Sequence, residues 1–262
     1  MRVLQDAWAY LTTAGSWTGD GGMLELLLQQ LLLTVTALGL AAALGLPVAL
    51  WLGHLGRGGF LAINISNIGR AVPTFALLAL LVTADAWGWT QGWFPGVREA
   101  GPYGRAGLAT LVALTLFALP PIITNAYVAV REVPADVRQA ADGMGMTGLQ
   151  KFRRVELPLA TPLVVSGLRL ALVQVWATAT IAALVAGPGL GRVITDGFVR
   201  NQYGQGIAGA VVVAVVALLL ELVAALAQRL TTPPGSPGSR PTGRPRRSGG
   251  APASVAAPTV SS

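Results

Sequence analysis

Five apolar stretches, each long enough to cross a lipid bilayer, leave this chain few folds to choose from. Crossing about 30 Å of hydrocarbon takes about 20 consecutive apolar residues in a helix. The stretches run about Leu26 to Leu52, Phe60 to Ala84, Leu108 to Val130, Leu163 to Ala186 and Ile207 to Ala227, the second of them polar in its first half. Helices buried inside soluble domains rarely reach such lengths, so a water-soluble α-protein is set aside. Charged residues make up 11% of the chain, against roughly 25% in an average soluble domain, which agrees. The expected fold class is all-α: a polytopic membrane protein of about five transmembrane helices.

Lysine and arginine orient the spans, because short cytoplasmic loops carry the excess of positive charge. Arg57 follows the first stretch, and Arg131, Arg138, Lys151, Arg153 and Arg154 follow the third. Arg229, Arg240, Arg244, Arg246 and Arg247 come at and after the end of the fifth. These segments are expected inside. In the alternate segments Arg2, Arg98, Arg105, Arg192 and Arg200 are offset by Asp6, Asp20, Asp85, Glu99 and Asp196. They are expected outside, which puts the N-terminus out and the C-terminus in the cytoplasm.

Residues 1–22 lack the charged start, apolar core and cleavage site of a secretory signal, and Trp8, Tyr10 and Trp17 suit a segment lying in the interface. Residues 23–230 then form the transmembrane domain, with a cytoplasmic loop at 131–161. From 231 to 262 the chain is rich in Pro, Gly, Ser and Arg with almost no large apolar residue, so a disordered basic cytoplasmic tail is expected. The tail accounts for much of the net charge of +7, which points to anionic lipid and not to nucleic acid.

Little in the composition supports chemistry. The chain has no Cys, and its single His54 cannot make a His-rich metal site. At the inner end of the first span, His54 suits a structural role. A membrane enzyme would need a site, and no paired intramembrane carboxylates offer one. An ion-coupled secondary transporter would use membrane-buried carboxylates as relays, and only Glu25 and Glu221 lie near span interiors or ends. No catalytic residue and no metal ligand is assigned.

The loop from Gln139 to Pro158, QAADGMGMTGLQKFRRVELP, holds the most informative local pattern. Pro134 suits a first helical position, and Val137, Ala140, Ala141 and Met144 recur at helical spacing as a narrow apolar face. Gly143 and Gly145 let the backbone turn, and Thr147 with Gln150 fits the reciprocal capping box of a second helix. Leu149, Phe152 and Val155 give that helix an apolar stripe. Pro158 is expected to stop it, with Thr161 and Pro162 opening the next span.

This spacing resembles the EAA loop of ABC-importer permeases: Glu-Ala-Ala, three residues, Gly, nine residues, Ile, one residue, Leu-Pro. Here the pattern falls on Gln139-Ala140-Ala141, Gly145, Val155 and Leu157-Pro158. Gln139 departs from it, keeping the length and the hydrogen-bonding oxygen of Glu but not the charge. The resemblance implies a type I ABC-importer permease, methionine-permease-like in architecture, with 131–161 as the coupling loop onto an ATPase. Gln139, Ala140, Ala141, Gly143, Gly145, Thr147, Phe152, Val155, Leu157 and Pro158 are its expected contact and shape residues.

Such an importer needs ATP, and this chain cannot hold it. A phosphate loop requires Gly-x4-Gly-Lys-Ser/Thr, whereas the only lysine, Lys151, follows Gln150. Gly143, Gly145 and Gly148 match Gly-x-Gly-x-x-Gly, but they follow a helical loop with no βαβ unit around them, so the match is fortuitous. No cofactor is expected in this chain; ATP and Mg belong to a partner. Transport through a bilayer is usually built between two bundles or repeats, and no internal repeat is visible here. The implied partners are two ABC ATPase subunits, a second permease chain, identical or homologous, and an extracytoplasmic substrate-binding protein, all at a bacterial inner membrane.

A narrower resemblance rests on Asn67 to Leu78, Leu119 to Asn125, Gly143 to Thr147, Ala177 to Ala183 and Gly187 to Gly191. These stretches are similar to the osmoprotectant branch of the family, which imports glycine betaine, choline, carnitine or related quaternary ammonium compounds. Methionine, phosphonate or amino-acid uptake is the nearer rival within ABC importers. Polar groups inside spans are costly and are expected to face a cavity or a partner. Asn64, Asn67 and Arg70, Asn125, Gln174, Thr178 and Thr180 are therefore the pathway candidates. Each equally suits hydrogen bonding between helices. Trp176 offers a face for a quaternary ammonium group, and packing is its other reading. Pro73, Pro120 and Pro121 are expected to kink their spans. Arg169 is expected near an inner span end, pairing with Glu156 or reaching toward the interface.

Overall fold

The computed structural model describes residues 2–60, 64, 69, 71–86 and 106–231, and every regular element among them is helical. Asn67, Arg70, the loop proposed to be external at about 85–105 and the tail from 232 lie wholly or largely outside the described residues. Two short helices, α1 (Arg2–Thr12) and α2 (Ala14–Trp17), precede the first span, α3 (Met23–Leu55). Beyond it come α4 (Thr74–Ala86) and α5 (Gly107–Arg131), then the loop helices α6 (Ala135–Gly143) and α7 (Gly148–Lys151). A π-helical turn (Phe152–Glu156) leads into α8 (Leu157–Ile181), which ends in a 3₁₀ turn (Ala182–Val185). The chain closes with α9 (Gly191–Val199) and α10 (Tyr203–Thr231).

The 33 residues of α3 reach about 50 Å at about 1.5 Å per residue, more than the hydrocarbon alone requires. Glu25 sits in its first turn and accepts a hydrogen bond from the Gly21 amide, where the helix dipole favours a carboxylate. Gly56, in the left-handed region at φ +66°, ends the helix and directs its amide to the Leu52 and Gly53 carbonyls. By length and apolar composition, α3, α5, α8 with its preceding turns, and α10 can each cross a membrane, and α4 is a shorter apolar helix.

Small side chains set the packing. Ala37, Ala41, Gly45, Ala49 and Gly53 recur every fourth residue along α3, and all are buried. On α5, Leu114, Ala118 and Ile122 share that spacing, as do Ala171, Val175 and Ala179 on α8. Together with Leu33, Ala37 and Ala41 these residues make one core. Close backbone approach replaces bulky interdigitation, as expected where lipid supplies no hydrophobic drive. At Gly53 a β-carbon would lie 2.9 Å from Val130 Cβ and 3.1 Å from the Tyr127 carbonyl oxygen, so only glycine lets α3 and α5 meet there.

Proline acts differently at each expected kink. At Pro73 the second stretch breaks: helix ends by Ala71, Val72 bends, and α4 begins anew with the Leu77 amide on the Pro73 carbonyl. A proline without an N–H, which also restricts its predecessor, gives this break directly. Pro120 and Pro121 instead lie inside an uninterrupted α5. Pro158 does not stop a helix, and Thr161 and Pro162 do not start one. The chain runs as helix from Gly148 to Val185, because the wider π turn accepts the Leu157 amide on the Phe152 carbonyl just ahead of the proline. Thr161 Oγ1 turns back to donate to the Leu157 carbonyl, 2.8 Å away.

At the other end α1 packs on α10, and Trp17 Nε1 donates to the Leu11 carbonyl at 2.7 Å. Burial, with the Asp196 carboxylate adding to it, holds the Tyr10 phenol above its ordinary pKa.

Candidate functional site

The loop between α5 and α8 folds from local rules. Pro134 is the N-cap of α6, one position before the first helical residue. Helix α6 ends in paired reversed hydrogen bonds, from the Gly145 amide to the Asp142 carbonyl (3.0 Å) and from the Met146 amide to the Ala141 carbonyl (3.2 Å). That arrangement requires a left-handed residue, and Gly145 supplies it at φ +76°. Gly143, by contrast, is the last helical residue with ordinary backbone angles, so only one of the two loop glycines makes the turn. Thr147 and Gln150 form the full reciprocal box: Thr147 Oγ1 accepts from the Gln150 amide and Gln150 Oε1 accepts from the Thr147 amide. Lys151 Nζ reaches back to Asp142 Oδ1 at 2.7 Å and closes the hairpin.

What this hairpin buries and what it offers are distinct. Ala141 is buried, and Val137, Phe152, Val155 and Leu157 are half-buried. Gln139, Ala140, Gly143, Gly145, Thr147 and Pro158 are exposed, and beside them Met144 and Leu149 stand 69% and 53% exposed. Two large apolar side chains held outward on a hydrogen-bonded turn offer a partner something to bury. Arg153 and Arg154 of the same loop are exposed too.

Several pathway candidates make hydrogen bonds that the structure records. Asn64 Nδ2 donates to the Phe60 carbonyl, Asn125 Nδ2 to the Pro121 carbonyl, and Thr178 Oγ1 to the Gln174 carbonyl, each four residues back in the chain. Gln174 itself is half-buried, and Pro73 is exposed. Trp176 is 2% exposed, packed with Met23, Leu26, Leu190, Val193 and Val212, and its Nε1 donates to the Val213 carbonyl. Its ring is covered in this conformation.

Three polar constellations escaped the sequence reading. Buried Gln30 donates to Thr180 Oγ1 (2.9 Å) and the Trp176 carbonyl (3.3 Å), and its Oε1 accepts from the Leu190 amide (2.9 Å). It therefore ties the outer end of α8 and the turn at 187–190 to α3. A Gln29-Gln30 pair in a run of leucines was the available signal. Arg169 pairs with Glu221 on α10 and donates from Nη1 to Gln228 Oε1, three residues before that helix ends at Thr231. Glu156 pairs instead with His54, Nδ1 to Oε2, at 2.5 Å.

Comparison with known proteins follows the same lines. The chain is 32% identical to the osmoprotectant import permease protein OsmY of Salmonella typhimurium, covering 78% of this chain and 80% of that protein. It is 28% identical to the glycine betaine/carnitine/choline transport system permease protein OpuCB of Bacillus subtilis, over 85% of this chain and 94% of the relative. In fold it is similar to the inward-facing MetNI methionine ABC transporter, with a TM-score of 0.62 at 24% identity over 80% of this chain and 96% of that one. Residues 41–233 match the family described as the binding-protein-dependent transport system inner membrane component, and the chain belongs to that family.

Proposed function

We propose that this chain is the permease subunit of an ATP-driven importer of osmoprotectants: glycine betaine, choline, carnitine or a related quaternary ammonium compound. The likeness over most of the chain to permeases named for these cargoes carries the reading. The chain does no chemistry of its own. Two ATPase subunits bind ATP and Mg and dock on the hairpin of 131–161, burying Met144 and Leu149 beside Gln139 and Ala140. A second permease chain, identical or homologous, completes the path, and an extracytoplasmic binding protein delivers the cargo. The permease sits in a bacterial inner membrane with its N-terminus outside and its C-terminus in the cytoplasm.

Mechanism follows from continuity of helix. A displacement of the docked hairpin passes without a flexible joint through α7 and the π turn into α8, whose outer end carries the turn at 187–190 bound by Gln30. Cargo with no net charge, such as a betaine, needs no strong counter-charge in transit, which suits a lining of Asn, Gln and Thr. The test is ATP hydrolysis by the reconstituted complex with its binding protein in proteoliposomes. Betaine or choline is expected to stimulate hydrolysis and methionine is not. Stimulation by methionine alone would remove the cargo assignment, and failure of any ATPase to associate would remove the permease reading as well.

A further inference from the structure

We propose that His54 and Glu156 form the positioning link by which the docking hairpin drives the first span as well as the fourth. The inference rests on ATPase docking at that hairpin. Glu156 is the last residue of the π-helical turn and is 1% exposed, a depth at which a carboxylate persists only with a partner. Its partner lies on another element, in the last turn of α3, with Nδ1 2.5 Å from Oε2.

The His54 ring touches the hairpin at more than that point. Its centroid lies 5.2 Å from the Phe152 ring, at the start of the π turn, and 5.9 Å from Trp51 one turn back on α3. Its other nitrogen faces the start of α7, where a β-carbon on Gly148 would lie 3.6 Å from Nε2. So one side chain of α3 rests on the beginning of α7 and on both ends of the π turn. The inner end of α3 is itself seated on α5 through Gly53, against Val130 and the Tyr127 carbonyl. The hairpin is joined covalently to α5 and α8 alone. Through His54 it also grips α3, so a rotation of the docked hairpin moves three spans together. A π turn at this junction fits, since such turns recur where helices serve function.

Two variants of the whole transporter, reconstituted with its ATPases and binding protein, separate this role from simple stability. His54→Phe/Glu156→Leu removes the bond while keeping apolar volume and leaving no buried charge unpaired. Glu156→Gln keeps a hydrogen bond to the imidazole without the charge. The double variant is expected to bind ATPase and hydrolyse ATP within about twofold of the parent, while cargo transported per ATP falls about 3- to 30-fold, the range of a lost coupling contact. Glu156→Gln is expected to retain most of that ratio. An unchanged ratio in the double variant overturns the proposal, as does a parallel fall of transport and hydrolysis or a failure to assemble, either of which assigns the pair to the fold alone. A parent chain that binds no ATPase would overturn the docking premise itself.

Discussion

Replacing Gly145 isolates the backbone of the docking turn from its surface. Its φ of +76° is a conformation that residues with a β-carbon reach at a cost of about 1–2 kcal/mol. A β-carbon built there meets nothing within 4 Å, so no clash adds to that cost. At about 1.4 kcal/mol per factor of ten, Gly145→Ala lowers the equilibrium constant for the docking conformation of the hairpin about 5- to 30-fold. Asn tolerates the left-handed region, so Gly145→Asn is expected to lose clearly less. Gly143 is the internal control. It too has open space around a built β-carbon, but its backbone is helical, so Gly143→Ala is expected to be neutral or slightly stabilising. The assay is the affinity of the partner ATPase for the purified permease in nanodiscs, with membrane insertion scored in parallel. Gly145→Trp adds bulk to the same strain and is expected to abolish ligand-stimulated hydrolysis while insertion persists. Wild-type affinity in Gly145→Ala, or equal losses at Gly143 and Gly145, would refute the reasoning.

Two further expectations concern the membrane itself. With no native Cys, Gln202→Cys after α9 is expected to react with an impermeant thiol reagent in intact cells and Glu132→Cys after α5 only after permeabilisation; the reverse pattern inverts the topology. Arg169→Met leaves Glu221 without its guanidinium partner and is expected to lower the amount of assembled protein, measured by size-exclusion chromatography in detergent, while Arg169→Met/Glu221→Leu restores it. Equal amounts in all three proteins would show that the pair contributes nothing to assembly.

Elements whose causes are local were legible in the sequence. The spans were, because hydrocarbon thickness demands long apolar runs, and so was the hairpin, whose Thr147–Gln150 box and Gly145 turn close within a few residues. Pro158 misled for a physical reason: a proline stops an α-helix, but a π turn ahead of it shifts the hydrogen-bond register so that the missing N–H costs little. The pairs His54–Glu156 and Arg169–Glu221 join residues 102 and 52 positions apart, a distance at which no periodicity links one partner to the other. The four-residue stripe from Ala37 to Gly53 was present in the sequence, yet its meaning depended on which helix it would face. Asn125 and Thr178 were singled out because they are polar; the bond each makes to a carbonyl of its own helix could not be read from that alone.

The most direct test of the account is uptake of labelled glycine betaine, choline and methionine by a transport-deficient bacterium expressing the permease with its ATPase and binding protein, at low and high external osmolarity. Accumulation of a quaternary amine that depends on ATP and is lost with Gly145→Trp is the predicted result. Methionine accumulating in its place would contradict the cargo while leaving the family membership intact.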